Sequence, residues 1–316
     1  MIFNSPVTLV KSVRDGLVDE QHLGYFLLMN HDNIILKLGE SANYPYYLRS
    51  CAKPLQAALL VDFGLDKYFD LNAQEIALCC ASHAGEDIHI NLAENLLNKF
   101  DLKVEDLKCG IHEPLSKTMK NKMLLHGEKP TALHNNCSGK HLMMLGLCRL
   151  KGWDIKNYDD INHPLQVAIK NKIYELCELN QEYPATTDGC GVPIYSMPFE
   201  NMCKGYLNLF CNKNYSVITN AILKNPYVLG GEDRTDTKII QNSDSIVAKV
   251  GAGGLCIVVN IKTQESMLVK ISDCDMKARE LFIISALRKF GWADIPVDYS
   301  IMTLHGQVVG KFEICL

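Results

Sequence analysis

The hydrophobic patterning of this chain falls into blocks, and that grouping constrains the fold more than any other feature. Residues 7 to 12 ("VTLVKS"), 24 to 30 and 33 to 38 ("NIILKL") read as strands, the last two joined by a turn at His31 and Asp32. From about residue 53 to residue 225 the apolar positions recur at helical spacing instead. The candidate helices are "KPLQAALLVDFG", "NAQEIALCC", "INLAENLLNKF", "SGKHLMMLGLCRLKG", "HPLQVAIKNKIYELCEL" and "YSVITNAILKN". Strand patterns return in "SIVAKV", "LCIVVNIK" and "SMLVKIS". An amphipathic helix from about Met276 to Phe290 and a final apolar segment, "QVVGKFEICL", complete the chain. Grouped rather than alternating elements predict an α+β fold, a mainly antiparallel sheet built from both termini with a helical lobe inserted between. Residues 1–316 are expected to form one domain, β-rich over 1–50 and 245–316 and mainly helical over 53–225.

Composition narrows the function classes. A chain of 316 residues that is 47% hydrophobic can bury a large core. Its formal charge is -4 and its Lys and Arg residues are scattered, so no basic stripe tracks a phosphate backbone and nucleic acid is not an expected partner. The start lacks a basic segment followed by an apolar run, and stretches such as "GLCIVVNI" are too short to span a bilayer. A soluble, cytoplasmic protein that does not engage a membrane is expected. The thirteen cysteines are odd in number and spread along the whole chain, a pattern of reduced, mostly buried side chains rather than of a disulfide framework.

Five segments concentrate residues with chemistry. In "LRSCAKPLQA", Ser50 precedes Lys53 by three positions, a spacing that puts hydroxyl and amine on one helical face. With 15 serines and 26 lysines, chance alone supplies about one Ser-x-x-Lys, so the pair reads either as a cap with a solvated lysine or as a nucleophile with its base. The second role requires a lysine pKa brought down from about 10.4 towards 7 by burial or a second cation. "CCASHAGED" presents Ser82 and His83 at a helix break, as a cleft loop or as the cap of the next helix. "ALHNNCSGKH" puts Cys137 at a helix N-terminus, where the dipole favours a thiolate, and "TTDGCGVP" sets Cys190 between glycines with Asp188 nearby. These cysteines, with His134, Lys140 and His141, read as a buried structural pair, a metal site or a cysteine nucleophile. "AKVGAGGL" follows Lys249 with Gly251, Gly253 and Gly254, a kinked hairpin strand or one that a substrate approaches closely. Only six of the 32 basic residues are arginine, and Arg49 and Arg234 lie beside these segments, suited to a carboxylate ligand or to an ion pair such as Arg234 with Asp236.

Taken in order and spacing, "RSCAKP", "CASHAGE", "HNNCSGKH", "DGCGVP" and "KVGAGG" resemble the Ser-Lys, rhizobial-type L-asparaginases (asparaginase II) over roughly residues 5 to 315. The resemblance implies a fold similar to serine β-lactamases and glutaminases, hydrolysis of L-asparagine to L-aspartate and ammonia, and a homodimer. It implies Ser50 as nucleophile with Lys53 as base, and Ser82 with Lys249 as a second Ser-Lys pair. It places Arg49, Asp188, His83 and Gly251 in the substrate-binding set. Cys137, Lys140 and Cys190 match positions that hold zinc, which would organise the site rather than activate water; the lysine must then be neutral to donate a lone pair. One position departs from the family pattern: Gly253 stands where an acid is usual, removing a group expected to hold Lys249. Two other readings remain. One is a zinc- or thiol-dependent amidohydrolase using Cys137 with His134 or His141, the other a weakened relative that binds an amino acid without turnover.

Overall fold

The two ends of the chain are joined by hydrogen bonds. A computed structural model describes residues 4–41 and 43–316. Its strands are β1 (Val7–Arg14), β2 (Leu17–Asn30), β3 (Ile34–Leu38), β4 (Tyr46–Tyr47), β5 (Ala185–Thr187), β6 (Pro193–Met197), β7 (Ile246–Gly251), β8 (Leu255–Asn260), β9 (Glu265–Ile271), β10 (Ser300–Met302) and β11 (Val308–Ile314). The main sheet runs β10-β11-β1-β2-β9-β8-β7, with β3 also paired to β2. Every pairing in it is antiparallel, and β1 meets β11 in the register Val10 to Ile314. The expected α+β architecture, a sheet from both termini with a helical insertion, is therefore the one observed.

The organising strand is β2, which is twice as long as the sequence pattern indicated. Its first half pairs with β1 across a turn at Asp15 and Gly16, whose φ values of 46° and 79° suit the mirror-image turn that joins twisted strands. Its second half pairs with β9 and β3. Adjacent residues on a strand face opposite ways, and Tyr25 meets Phe199 with ring centroids 5.6 Å apart while Phe26 meets Phe282 at 5.3 Å. One face of the sheet is thus covered by the helix Phe199–Phe210 and the other by Met276–Lys289. Coverage on both faces explains why β7 and β8 are buried at every position and why their sequences are almost continuously apolar.

The inserted lobe is mainly helical, as expected, with one correction. It contains a second, three-stranded sheet in the order β4-β6-β5, and "TTDGCGVP" is the connection between β5 and β6. Five helices also lay outside the periodic segments, two of them, Leu65–Tyr68 and Pro226–Leu229, only four residues long. Of the other three, Lys117–His126 buries only Met119 and Met123 and so shows no apolar stripe, Thr235–Gln241 has only seven residues, and Phe199–Phe210, which buries eight of its twelve residues, does carry an apolar face. Ala52–Asp62 is the opposite case. Its residues 52 to 60 are all buried, so the helix that follows Ser50 is the axis of the lobe. Among the described residues no helix is long and apolar enough to cross a membrane. All thirteen cysteines are free thiols, ten of them buried.

The β7–β8 hairpin turns through Gly253 and Gly254, both left-handed at φ 72° and 74°. The two glycines differ in the space around them. A Cβ on Gly253 would meet nothing closer than Lys270 Nζ at 4.0 Å, whereas one on Gly254 would lie 2.3 Å from the Ile271 carbonyl oxygen. Gly253→Ala is expected to cost only the left-handed penalty, about 1 to 2 kcal/mol. Gly254→Ala adds about 1 to 3 kcal/mol of overpacking. Urea denaturation midpoints of the two variants check this order; equal losses would show that the Ile271 contact relaxes freely.

Candidate active site

Ser50 lies in a 3-10 turn, Arg49–Cys51, that leads into the buried helix Ala52–Asp62. The turn is pressed against β7: the Cys51 thiol donates to the Lys249 carbonyl at 3.2 Å, and a Cβ on Gly251 would lie 3.1 Å from Cys51 Sγ. Arg49 is held at φ 49°, a strained value for a side-chain-bearing residue. Its guanidinium compensates by donating from Nε to Asp188 Oδ1 at 2.8 Å, which ties the Ser50 turn to the connection between β5 and β6. Burial acts to raise the Asp188 carboxyl, but the Lys140 and Arg49 cations hold it below the usual range.

Ser50 and Ser82 open on one cleft of about 490 Å³, with Asn136, Arg234, Arg279 and the backbone of residues 250–254 in its wall. Ser82 sits just beyond the helix Ala73–Cys79, and its backbone N–H donates to the Leu229 carbonyl at 3.0 Å. Beneath the two serines lies Lys53, 1% exposed. Its Nζ donates to the carbonyls of Ala81 and Asn136 at 2.7 and 2.9 Å and to Ser82 Oγ at 2.9 Å. Burial brings its pKa down to about 8; the Cys137 sulfur opposes that shift, and the Lys140 and Lys249 cations reinforce it.

The pairing of serines and lysines differs from the expected one. Lys53 bonds Ser82, and among the described residues no hydrogen bond joins it to Ser50. Lys249 does not bond Ser82. Its fully buried Nζ donates to Asp236 Oδ2 at 3.0 Å and to the Val250 carbonyl at 3.0 Å. Asp236, expected to pair with Arg234, therefore pairs with Lys249. Burial acts to raise the Asp236 carboxyl, but Lys249 and then Arg234 hold it low. The role expected of an acid at position 253 is filled from another segment, and the Gly253 carbonyl accepts from Lys270 Nζ instead.

Cys137, Lys140 and Cys190 do come together. Cys137 caps the helix Ser138–Lys151, and Lys140 Nζ, one turn on, donates to Cys190 Sγ at 3.0 Å. The two sulfurs share a hydrogen bond. That bond keeps Cys137 well below the ordinary thiol range despite burial, with help from the Lys53 and Lys140 cations, while the same bond and burial push Cys190 up. No group of three His, Cys, Asp or Glu side chains suited to a metal occurs among the described residues; the side-chain donors gathered here are the two sulfurs and the Lys140 amine.

The remaining candidates lie away from the cleft wall. His83 is fully buried. Its Nε2 donates to Ser138 Oγ at 2.9 Å and its Nδ1 accepts from the Gly85 N–H, so it bridges two loops rather than facing the cleft, and burial keeps it neutral. His141 bonds the Tyr158 hydroxyl at 2.6 Å and His134 accepts from the Thr131 N–H, so neither imidazole bonds Cys137. Asp236 carries no motif of its own; its place in "GGEDRTD" beside a rare arginine was the available signal. Arg279, in the first turn of an amphipathic helix, gave none.

The model of the L-asparaginase II family matches residues 10–311, and the chain belongs to that family of asparagine-hydrolysing enzymes. No curated protein matches it in sequence. In structure it is similar to a β-lactamase from Mycobacterium bovis, at 11% identity and a TM-score of 0.43, over 84% of this chain and 94% of that one. It is also similar to a Bacteroides dorei protein assigned as a β-lactamase, at 10% identity and 0.42, over 79% and 85%.

The Lys249 and Asp236 pair yields a stability prediction. Asp236→Asn leaves a fully buried ammonium without its counter-charge and is expected to cost about 3 to 5 kcal/mol, whereas the double variant Lys249→Met/Asp236→Leu recovers most of that loss. Equilibrium urea unfolding of the wild type and both variants measures it. A loss below about 1 kcal/mol in Asp236→Asn would mean that Lys249 finds another acceptor.

Proposed function

We propose that the protein hydrolyses the side-chain amide of L-asparagine through a serine acyl-enzyme, with Ser50 as nucleophile, Lys53 as base and Ser82 carrying the proton between them. One observation carries this reading: Lys53 is a buried amine with a pKa near 8, bonded to one of two serines that line the same cleft. Ser50 Oγ has no hydrogen-bond partner among the described residues, which leaves it free to meet a carbonyl. Ser50 Oγ forms a bond to the amide carbon as its proton passes through Ser82 to neutral Lys53. The protonated amine returns that proton to the leaving nitrogen, the C–N bond breaks, and ammonia departs. Water, deprotonated by the same amine, cleaves the ester and restores Ser50 with L-aspartate as product. Backbone N–H groups of Ser50 and of the Gly251 turn are the proposed oxyanion donors, each worth on the order of 100- to 1000-fold in rate. The close approach of Gly251 to the Ser50 turn supports that assignment.

Ammonia release by purified variants tests the roles. Ser50→Ala is expected to fall to background and Ser82→Ala by about 100- to 10,000-fold, the range for loss of a proton-transfer group. The reverse order would move the nucleophile to Ser82. The base must be neutral and only about one-tenth of Lys53 is neutral at pH 7, so kcat/KM of the wild type rises with pH through about 8 and then levels. A profile flat from pH 6 to 9 would remove Lys53 from the role.

The same reading includes zinc held by Cys137, Cys190 and Lys140. Two sulfurs and an amine within one buried cluster suit a thiophilic ion, and the Cys137 sulfur is already held well below the ordinary thiol range. Bound there, zinc would stiffen the loop beneath Asn136 and add positive charge behind the cleft. Loading it requires one proton to leave Cys190 and one to leave Lys140. Calorimetric titration in buffers of different ionisation heat is therefore expected to show about two protons released per zinc, with affinity rising as pH rises. Unchanged uptake in Cys137→Ser would place the metal elsewhere.

A further inference from the structure

The cleft that holds Ser50 and Ser82 is charged in one sense only. Among the described residues of its wall, the charged side chains are Arg234 and Arg279; no carboxylate lines it. Arg279, on the helix Met276–Lys289, is 7% exposed and makes a single side-chain hydrogen bond, from Nη1 to the Gly251 carbonyl at 3.3 Å, while its buried Nε has no acceptor. Arg234 precedes the helix Thr235–Gln241, makes no side-chain hydrogen bond among the described residues, and also has a buried, unpartnered Nε. A guanidinium offers five N–H donors, and leaving them unmade inside a protein is costly.

The neighbouring acids do not supply the missing acceptors. Asp236 is bonded to Lys249 and to the Val250 N–H. Glu280 accepts from Thr235 and Lys238, and Asp275 accepts from the Ala278 N–H. The one buried carboxylate beside the cleft, Asp236, is thus shared by Lys249 and Arg234, and Arg279 has only the Gly251 carbonyl. Arg49, the other arginine expected to read a carboxylate, is engaged by Asp188 and is not part of the wall.

We propose that Arg234 and Arg279 form the carboxylate-binding subsite of the serine cleft, so that the protein selects small amides that carry a free carboxylate. The substrate rests on the amidohydrolase reading, but the anion subsite does not. Two forked donors approaching from different helices suit a planar carboxylate better than a single lysine would. The Arg279 bond to the Gly251 carbonyl couples that subsite to the strand beside Ser50, which places the bound acid next to the nucleophile.

The test compares wild type, Arg234→Gln, Arg279→Gln and Arg279→Lys on L-asparagine and on L-asparagine methyl ester, reading ammonia. The glutamine variants are expected to raise KM for L-asparagine about 10- to 100-fold with kcat within about threefold, and to leave the ester, already poor with wild type, unchanged. Arg279→Lys is expected to recover part of the loss. Equal losses on both substrates, or none on L-asparagine, would overturn the subsite. Arg234 is partly exposed, so its variant remains informative if Arg279→Gln does not fold. Should wild type release no ammonia, the amidohydrolase reading fails alone. Calorimetric binding of succinate then decides: binding to wild type that is lost in Arg234→Gln supports the subsite, and binding that is absent or unaltered rejects it.

Discussion

The arrangement depends on one ammonium taken out of water. Lys53 reaches across the base of the cleft to acceptors on two other segments, the end of the helix Ala73–Cys79 at Ala81 and Ser82 and the loop before the helix Ser138–Lys151 at Asn136. Burying a cation is expensive unless its protons are all directed to acceptors, and three short bonds meet that condition. The same bonds hold the helix Ala52–Asp62, and with it the Ser50 turn, in register with Ser82. The lowered pKa of Lys53 is thus a consequence of packing: the burial that makes the lobe cohere is also what makes the amine available as a base.

How much of this could be read beforehand follows from the range of each signal. The sheet from both termini and the helices with apolar stripes were legible because periodicity reports burial along a single element. β5 and β6 were not, being three and five residues long and lying between helices, and neither was Lys117–His126, whose buried face is two methionines. The hairpin at Asp15 and Gly16 did carry a legible local signal, since that dipeptide is among the strongest for a two-residue turn. The site residues were legible as segments and as a family resemblance, but their partners were not. Ser50 and Lys53 are neighbours in sequence, yet the serine sits in a 3-10 turn at the cleft wall and the lysine within a helix whose surroundings are all core. Which hydroxyl meets which amine was decided by how three loops converge, a long-range property that spacing does not encode.

The substitution at position 253 illustrates the same point in reverse. A motif viewed alone makes Gly253 a missing acid and Lys249 an unsupported base. In the fold, position 253 is the left-handed corner of a hairpin, with its carbonyl taken by Lys270, while Asp236 neutralises Lys249 from a helix that follows a separate loop. A carboxylate at the tip of a hairpin and one inside the core differ in desolvation, so the buried Asp236 binds its lysine in a setting where the charge attraction is less screened. Lys249 is accordingly bonded to Asp236 and the Val250 carbonyl rather than to Ser82.

The cations around the cleft divide between two anions of different kind. On one side Lys140 and Lys53 act on the sulfurs of Cys137 and Cys190; on the other Lys249 and Arg234 act on Asp236. The carboxylate is held below its usual range, so by the sign of linkage its contribution is present above the unfolded carboxylate pKa of about 3.9 and is lost only as pH falls through the still lower folded value. The two sulfurs of the other anion diverge instead, Cys137 held low and Cys190 pushed up. Lys53 lies between the two compartments and feels both: Lys140 and Lys249 lower its pKa, and the Cys137 sulfur raises it. The lowered pKa of the amine beneath the serines is therefore set chiefly by burial and trimmed from both sides, while the ion pair at β7 ties the wall of the cleft to the helix Thr235–Gln241.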